Sequence, residues 1–135
     1  MIAVDSNFLV YAHREDSPFH DAACARIVEL AEGNAPWAIP WPCIHEFFAI
    51  VTHPRIYAPP TPLEKAIDQV AAWLESPSLV LLAESEDYWQ QLRSLIQSGK
   101  VCGSQVHDAR IAAFCNYYGV IDLSIAEGTL AVIRN

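Results

Sequence analysis

Three acidic residues occupy similar settings in this chain. They are Asp5 in Ile2-Ala3-Val4-Asp5-Ser6-Asn7, Glu46 in Ile44-His45-Glu46-Phe47-Phe48, and Asp108 in Val106-His107-Asp108-Ala109-Arg110-Ile111. Each has apolar neighbours on both sides, where an ionised carboxylate without a partner is costly. Each also has a simpler reading. Asp5 is a good helix N-cap type, and an acid in a first helical turn favours the helix dipole. Three acids at corresponding element ends are harder to explain as three separate caps. Carboxylates with few soft ligands nearby suit Mg²⁺ or Mn²⁺, which prefer oxygen donors. Such ions polarise phosphoryl oxygens and acidify bound water, so the chemistry on offer is metal-assisted hydrolysis.

The elements that must position these acids follow from the surrounding pattern. The apolar run Ile2-Ala3-Val4 predicts a buried parallel strand with Asp5 at its carboxyl end, the edge where open α/β sheets bind ligands. Ser17-Pro18 predicts an N-cap and first helical position. That helix runs to about Glu32 with Ala22, Ala23, Ile27, Leu30 and Ala31 as its apolar stripe, and Gly33-Asn34 stops it. Trp37-Ala38-Ile39 is a short strand, and a helix from Ile44 to Thr52 carries Glu46 in its first turn. The proline-rich stretch from His53 to Pro60 predicts an extended loop. Thr61-Pro62-Leu63-Glu64 reads as a capping box opening a helix with the face Leu63, Ile67, Val70, Ala71 and Leu74. Leu79 to Ala83 predicts a buried strand. Ser85 then caps a helix with Tyr88, Leu92, Leu95 and Ile96 inward, closing at Gly99. A helix from Gln105 to Tyr118 carries Asp108, and Val120 to Ser124 and Leu130 to Ile133 are the last strands. Short strands alternating with helices predict an α/β fold with a mainly parallel sheet.

Composition narrows the function classes. With 135 residues, 53% of them hydrophobic, the chain has enough material for one domain spanning 1–135 with a real core. Sixteen acids against eight Lys plus Arg give a net charge of −8, which argues against a broad phosphate-coating surface. It does not exclude a site that meets phosphate through cations held by carboxylates, and it suits a basic protein partner. Cys24, Cys43, Cys102 and Cys115 form no C-x-x-C pair, against a zinc site or disulfide framework. Three read as small core residues, and Cys102 beside Gly103 as an exposed thiol. No basic, apolar leader precedes Asp5, and no apolar run approaches the roughly 18 residues of a membrane span. The expected location is the cytoplasm.

The segments Val4-Asp5-Ser6-Asn7-Phe8-Leu9-Val10-Tyr11, the mid-chain Glu46 and His107-Asp108-Ala109-Arg110-Ile111-Ala112 resemble the motifs of PIN-domain ribonucleases. The likeness is nearest to the VapC-type toxins of bacterial toxin–antitoxin pairs, one branch of which is similar at Val51-Thr52-His53-Pro54-Arg55-Ile56. It extends from Met1 to about Gly119. The resemblance implies an α/β/α sandwich with a mainly parallel central sheet. It also implies a Mg²⁺- or Mn²⁺-dependent endoribonuclease with a cognate antitoxin and homodimeric assembly. On this basis Asp5, Glu46 and Asp108 are the catalytic and metal-site acids. Ser6 supports the first, and Ser6 and Arg110 are candidate substrate contacts. The tail departs from the pattern: Gly119 to Leu130 lacks the usual Thr-x-Asp-x-Asp-Phe-like stretch. Glu127 is the best stand-in for a fourth acid, Asp122 the alternative.

Other polar residues have weaker claims. His45 and His107 each precede a proposed ligand and point about 100° away from it on a helix. Arg14 and Lys100 lie on loops that could border the site. Trp37, Trp41, Trp73 and Trp89 read as core or interface, with Trp41, between two prolines, a candidate for exposure. Two functional readings remain: a metal-dependent endoribonuclease, and a catalytically weak module that keeps the fold and the antitoxin contact. Phosphatase and receiver-domain alternatives fit poorly: such phosphatases need an acid two residues after Asp5, where Asn7 stands, and Leu79 to Ala83 runs on to Glu84 and Ser85 without a clear acceptor acid.

Overall fold

A computed structural model describes residues 1–84, 86–100, 102–103, 110, 121–126 and 129–134, the last two segments through their backbone. The shortest strand sits at the centre. β1 (Ile2–Val4) pairs in parallel with β2 (Trp37–Pro40) on one side and with β4 (Ile121–Ala126) on the other. β3 (Leu79–Leu82) adds in parallel outside β2, and β5 (Thr129–Arg134) runs antiparallel outside β4. The order is therefore β3-β2-β1-β4-β5. The chain builds outward from β1 in one direction, then returns to its other side. Such a reversal opens a crevice at the carboxyl ends of the strands, and Asp5 follows β1 directly.

Helices cover the sheet. α1 (Ser6–His13) and α2 (His20–Glu32) join β1 to β2, and α3 (Trp41–Val51) and α4 (Leu63–Leu74) join β2 to β3. Val4, Trp37 and Ile39 join Phe8, Leu9, Ile27, Phe47, Val70 and Trp73 in the main core. Phe47 stands at its centre, with ring centroids 5.0 Å from Trp73 and 5.3 Å from His13. Strand alternation sends Ala3, Ala38 and Leu82 to the opposite face, where Tyr88 of α5 (Tyr88–Gly99) packs. Small residues on that face bring the outer layer close. Trp37 is fully buried, and its indole N–H donates to Ser76 Oγ at 3.1 Å, leaving no polar cost behind.

The structure corrects several boundaries. Ser17 does not cap α2. Its Oγ accepts from the Phe19 amide at 3.1 Å, and the helix starts three residues later at His20, with Gly33 ending it as expected. α3 starts three residues before the expected Ile44, because Pro40 serves as N-cap and Pro42 fits the first turn. Thr61 makes no capping box. Pro62 is the N-cap of α4, and Thr61 turns inward, only 6% exposed, to meet His13 and Arg14. The buried face of α4 is Ala66, Val70 and Trp73, while Leu63, Ile67 and Leu74 are exposed. β3 is an edge strand with Val80 open to solvent rather than a buried one. α5 turns Tyr88, Leu92, Leu95 and Ile96 toward the protein, but only partly buried. Ser85 and the expected helix from Gln105 to Tyr118 lie outside the described residues, apart from Arg110, which is helical. Cys43 is buried, Cys24 half-buried and Cys102 exposed. No helix among the described residues is long and apolar enough to cross a membrane.

Candidate active site

Asp5 takes extended backbone (φ −86°, ψ 174°), and its Oδ1 accepts the Phe8 amide at 2.9 Å. The N-cap role is thus real, yet it does not exhaust the side chain: a carboxylate offers about four lone-pair sites, and capping uses one. Ser6, the first residue of α1, is 8% exposed. Its hydroxyl donates to Glu46 Oε2 at 2.6 Å, a short, charge-assisted bond across forty positions of sequence. β1 ends at Val4, so the Asp5-Ser6 peptide presents one acid itself and holds the other through a hydroxyl.

The early start of α3 bears on Glu46. No acid lies in the first turn of that helix, so the dipole-pairing explanation fails for this residue. Glu46 lies further along, half-buried, and among the described residues its partner is a hydroxyl rather than a cation. Asp108 and Glu127 lie outside the described residues, and only the backbone is described for Asp122. Among the described residues no three His, Cys, Asp or Glu side chains converge. The described part of the site therefore comprises two carboxylates and one hydroxyl, all hard oxygen donors.

At the same carboxyl edge of the sheet lies a recess of about 360 Å³ lined by Trp41, Pro42, His45, Ala83, Glu84 and Arg110. Arg110, the candidate phosphate contact, donates to Glu84 Oε1 at 3.3 Å. Both partners are substantially exposed, so the pair contributes little to stability and is easily exchanged. The Tyr88 phenol is pushed above its ordinary pKa, first by burial and also by Glu84, with Arg110 opposing. Sequence reading left this recess unassigned, although Trp41 and His45 stand at the i, i+4 spacing of one helical face.

Arg14 does not border the acids. It caps the far end of α1 and is occupied there. Its guanidinium forks onto Asp16 at 2.6 and 2.9 Å, donates to Pro59 O and Thr61 Oγ1, and lies 4.2 Å over the Tyr57 ring. Hydrogen bonding to Asp16 raises the Arg14 pKa and lowers that of Asp16. Lys100 ends α5 in left-handed conformation, exposed.

Comparison with known proteins bears on the family and the fold. The PIN domain family model matches residues 2–125. Ribonuclease VapC43 of Mycobacterium tuberculosis is 32% identical over 114 residues, covering 84% of this chain and 78% of its own. Ribonuclease VapC48 of the same organism is 27% identical over 116 residues, covering 86% and 80%. Among solved structures, M. tuberculosis VapC20, a sarcin–ricin loop cleaving toxin, superposes with a TM-score of 0.64 at 16% identity, covering 89% of this chain and 85% of its own. The Rickettsia felis VapBC2 complex bound to a promoter DNA fragment gives 0.60 at 19% identity, covering 89% and 84%. These two show the shared fold. With a family model spanning nearly the whole chain and a sheet that reverses at the strand Asp5 follows, this protein belongs to the PIN-domain family.

Proposed function

We propose that this protein is a divalent-metal-dependent endoribonuclease, the toxin of a toxin–antitoxin pair. The observation that carries the reading is the Ser6 bridge: the residue after Asp5, at the sheet's reversal point, meets Glu46 through a hydroxyl, with no cation on Glu46 among the described residues. The donor set fits Mg²⁺ or Mn²⁺, being oxygen only. Asp5 and Glu46 would hold the ion, with Asp108 and, as a fourth acid, Glu127 completing the set. When bound, the ion supplies Lewis-acid polarisation of a phosphodiester and acidification of water. The chain's own residues do the rest. Asp5 is fixed by its cap bond to Phe8, Ser6 orients Glu46, and Arg110 exchanges Glu84 for a substrate phosphate.

The relatives named ribonucleases and the VapBC complex support RNA as substrate and a VapB-type antitoxin as partner. A basic antitoxin segment suits the net charge of −8. A cytoplasmic location, a homodimer and a single domain over 1–135 complete the proposal.

The altered tail favours one competing reading, a module that binds antitoxin without cutting RNA. The two separate in one experiment: cleavage of a mixed RNA pool in Mn²⁺, with an EDTA control and the Asp108→Asn and Asp5→Asn proteins. Cutting by wild type alone, abolished by EDTA, is the expected result. Folded wild-type protein that leaves RNA intact at every Mn²⁺ concentration establishes the binding module instead.

A further inference from the structure

Trp41 is an anomaly in an otherwise well-covered helix. Every other apolar residue in the first turn of α3 is buried, yet this ring is 39% exposed. Its backbone is pinned by fully buried Pro40 before it and buried Pro42 after it, so the ring sits on a rigid base. His45, one turn on, presents a second flat ring, with centroids 6.5 Å apart and planes inclined at 34°. The two rings are thus nearer to parallel than to edge-on, but too far apart to stack closely on each other. Both line the 360 Å³ recess, whose further wall is the exchangeable Glu84–Arg110 pair. An aromatic platform with a releasable guanidinium is what single-stranded nucleic acid requires: a ring for the base and a cation for its phosphate.

Location supports the same occupant. Trp41 directly follows β2 and Ala83 directly follows β3, so the recess opens at the carboxyl edge of the sheet, as Asp5 does. His45 precedes Glu46, and successive side chains on a helix diverge by about 100°. The His45 wall of the recess and Glu46 therefore lie about 100° apart around one helix.

We infer that the Trp41–His45 recess is a nucleobase subsite, taking one unpaired RNA base beside the scissile phosphate while Arg110 moves from Glu84 to a flanking phosphate. The inference rests on the nuclease reading and extends it to how RNA is gripped by a protein of net negative charge. Stacking holds ground state and transition state alike, so its loss raises KM and leaves kcat nearly unchanged.

The test compares wild type, Trp41→Ala and Trp41→Phe in Mn²⁺ on a short single-stranded RNA with one cleavage site and on versions lacking one base at each position in turn. Thermal melting first establishes that the variants fold. Trp41→Ala is expected to raise KM roughly 5- to 100-fold, the value of one stacked base. Trp41→Phe should recover much of this. One abasic position should weaken wild type by a similar factor and leave Trp41→Ala indifferent. A folded Trp41→Ala protein with wild-type KM overturns the subsite while leaving the nuclease intact. Titration of the same RNAs into Asp5→Asn protein separates the remaining case. If binding depends on Trp41 but wild type does not cut, the subsite stands and the nuclease falls; if neither binding nor cutting occurs, both fall.

Discussion

The two ends of α1 solve opposite problems with charged groups. At the carboxyl end, Arg14 is satisfied from every side by Asp16, the Pro59 carbonyl, Thr61 and the Tyr57 ring. That arrangement clamps the proline-rich loop onto the helix, and four hydrogen bonds to the protein occupy most of the guanidinium's five N–H donors. At the amino end, Glu46 meets only a serine hydroxyl among the described residues, and its negative charge is positioned rather than cancelled. On the proposed reading, a half-buried carboxylate that meets a hydroxyl rather than a cation among the described residues is left to bind an external cation. Under the proposed function, the distinction is between charge that holds the fold and charge held ready for chemistry.

The contrast can be broken from either side. Asp5→Asn is the most severe test. Asparagine keeps the cap acceptor for Phe8, so Tm should change little, while cleavage should fall about a thousandfold, as several kcal/mol of metal-derived stabilisation disappear. A large loss of Tm with activity retained would make Asp5 a cap and nothing more. Ser6→Ala comes next, with cleavage or Mn²⁺ affinity down roughly 10- to 100-fold, the usual effect of freeing a ligand from the group that orients it. Calorimetric Mn²⁺ titration reads this directly. Arg14→Ala should do the reverse, costing about 2 kcal/mol in urea unfolding through lost hydrogen bonds and ring contact, with kcat unchanged. Arg14→Lys should not rescue it, since an ammonium cannot reproduce the fork.

The smallest effect is on pH dependence. The Asp16 pKa is lowered in the fold, so the unfolded chain takes up protons first as pH drops. Its contribution is complete above the ordinary carboxylate value of 3.8 and fades as pH falls through the lower folded value. Asp16→Asn should flatten the acid limb of a urea-midpoint profile slightly between about pH 2 and 5, with no change near neutrality. Equal slopes in the two proteins would assign that limb to other carboxylates.

The strand end at Asp5 was more legible in the sequence than the long-range contacts around it. Asp5 announces itself because a three-residue apolar run ends on it, and strand ends are marked by such abrupt changes. Glu46 was identifiable as a residue, but its helix was begun too late, since Trp41-Pro42 reads as a break unless proline is allowed in the first turn. On α4 two apolar stripes overlap through Val70. Periodicity cannot choose between them, whereas packing can: Ala66 permits close approach and Trp73 buries the larger surface against Phe47. Thr61 showed the limit of local rules. Its cap position was plausible, yet His13 and Arg14, distant in sequence, offered its hydroxyl better partners.

The central place of β1 has a temporal side as well. β1, β2 and β3, with both Asp5 and Glu46, are complete before the ribosome reaches β4, which must later pair with the first strand. A nascent chain therefore carries two of its acids early but has an unzipped edge on β1, and nonlocal strand pairing of this kind forms slowly. Closure of that last seam ends the assembly of the sheet, and it leaves an interval during synthesis in which the first three strands stand without their last neighbour.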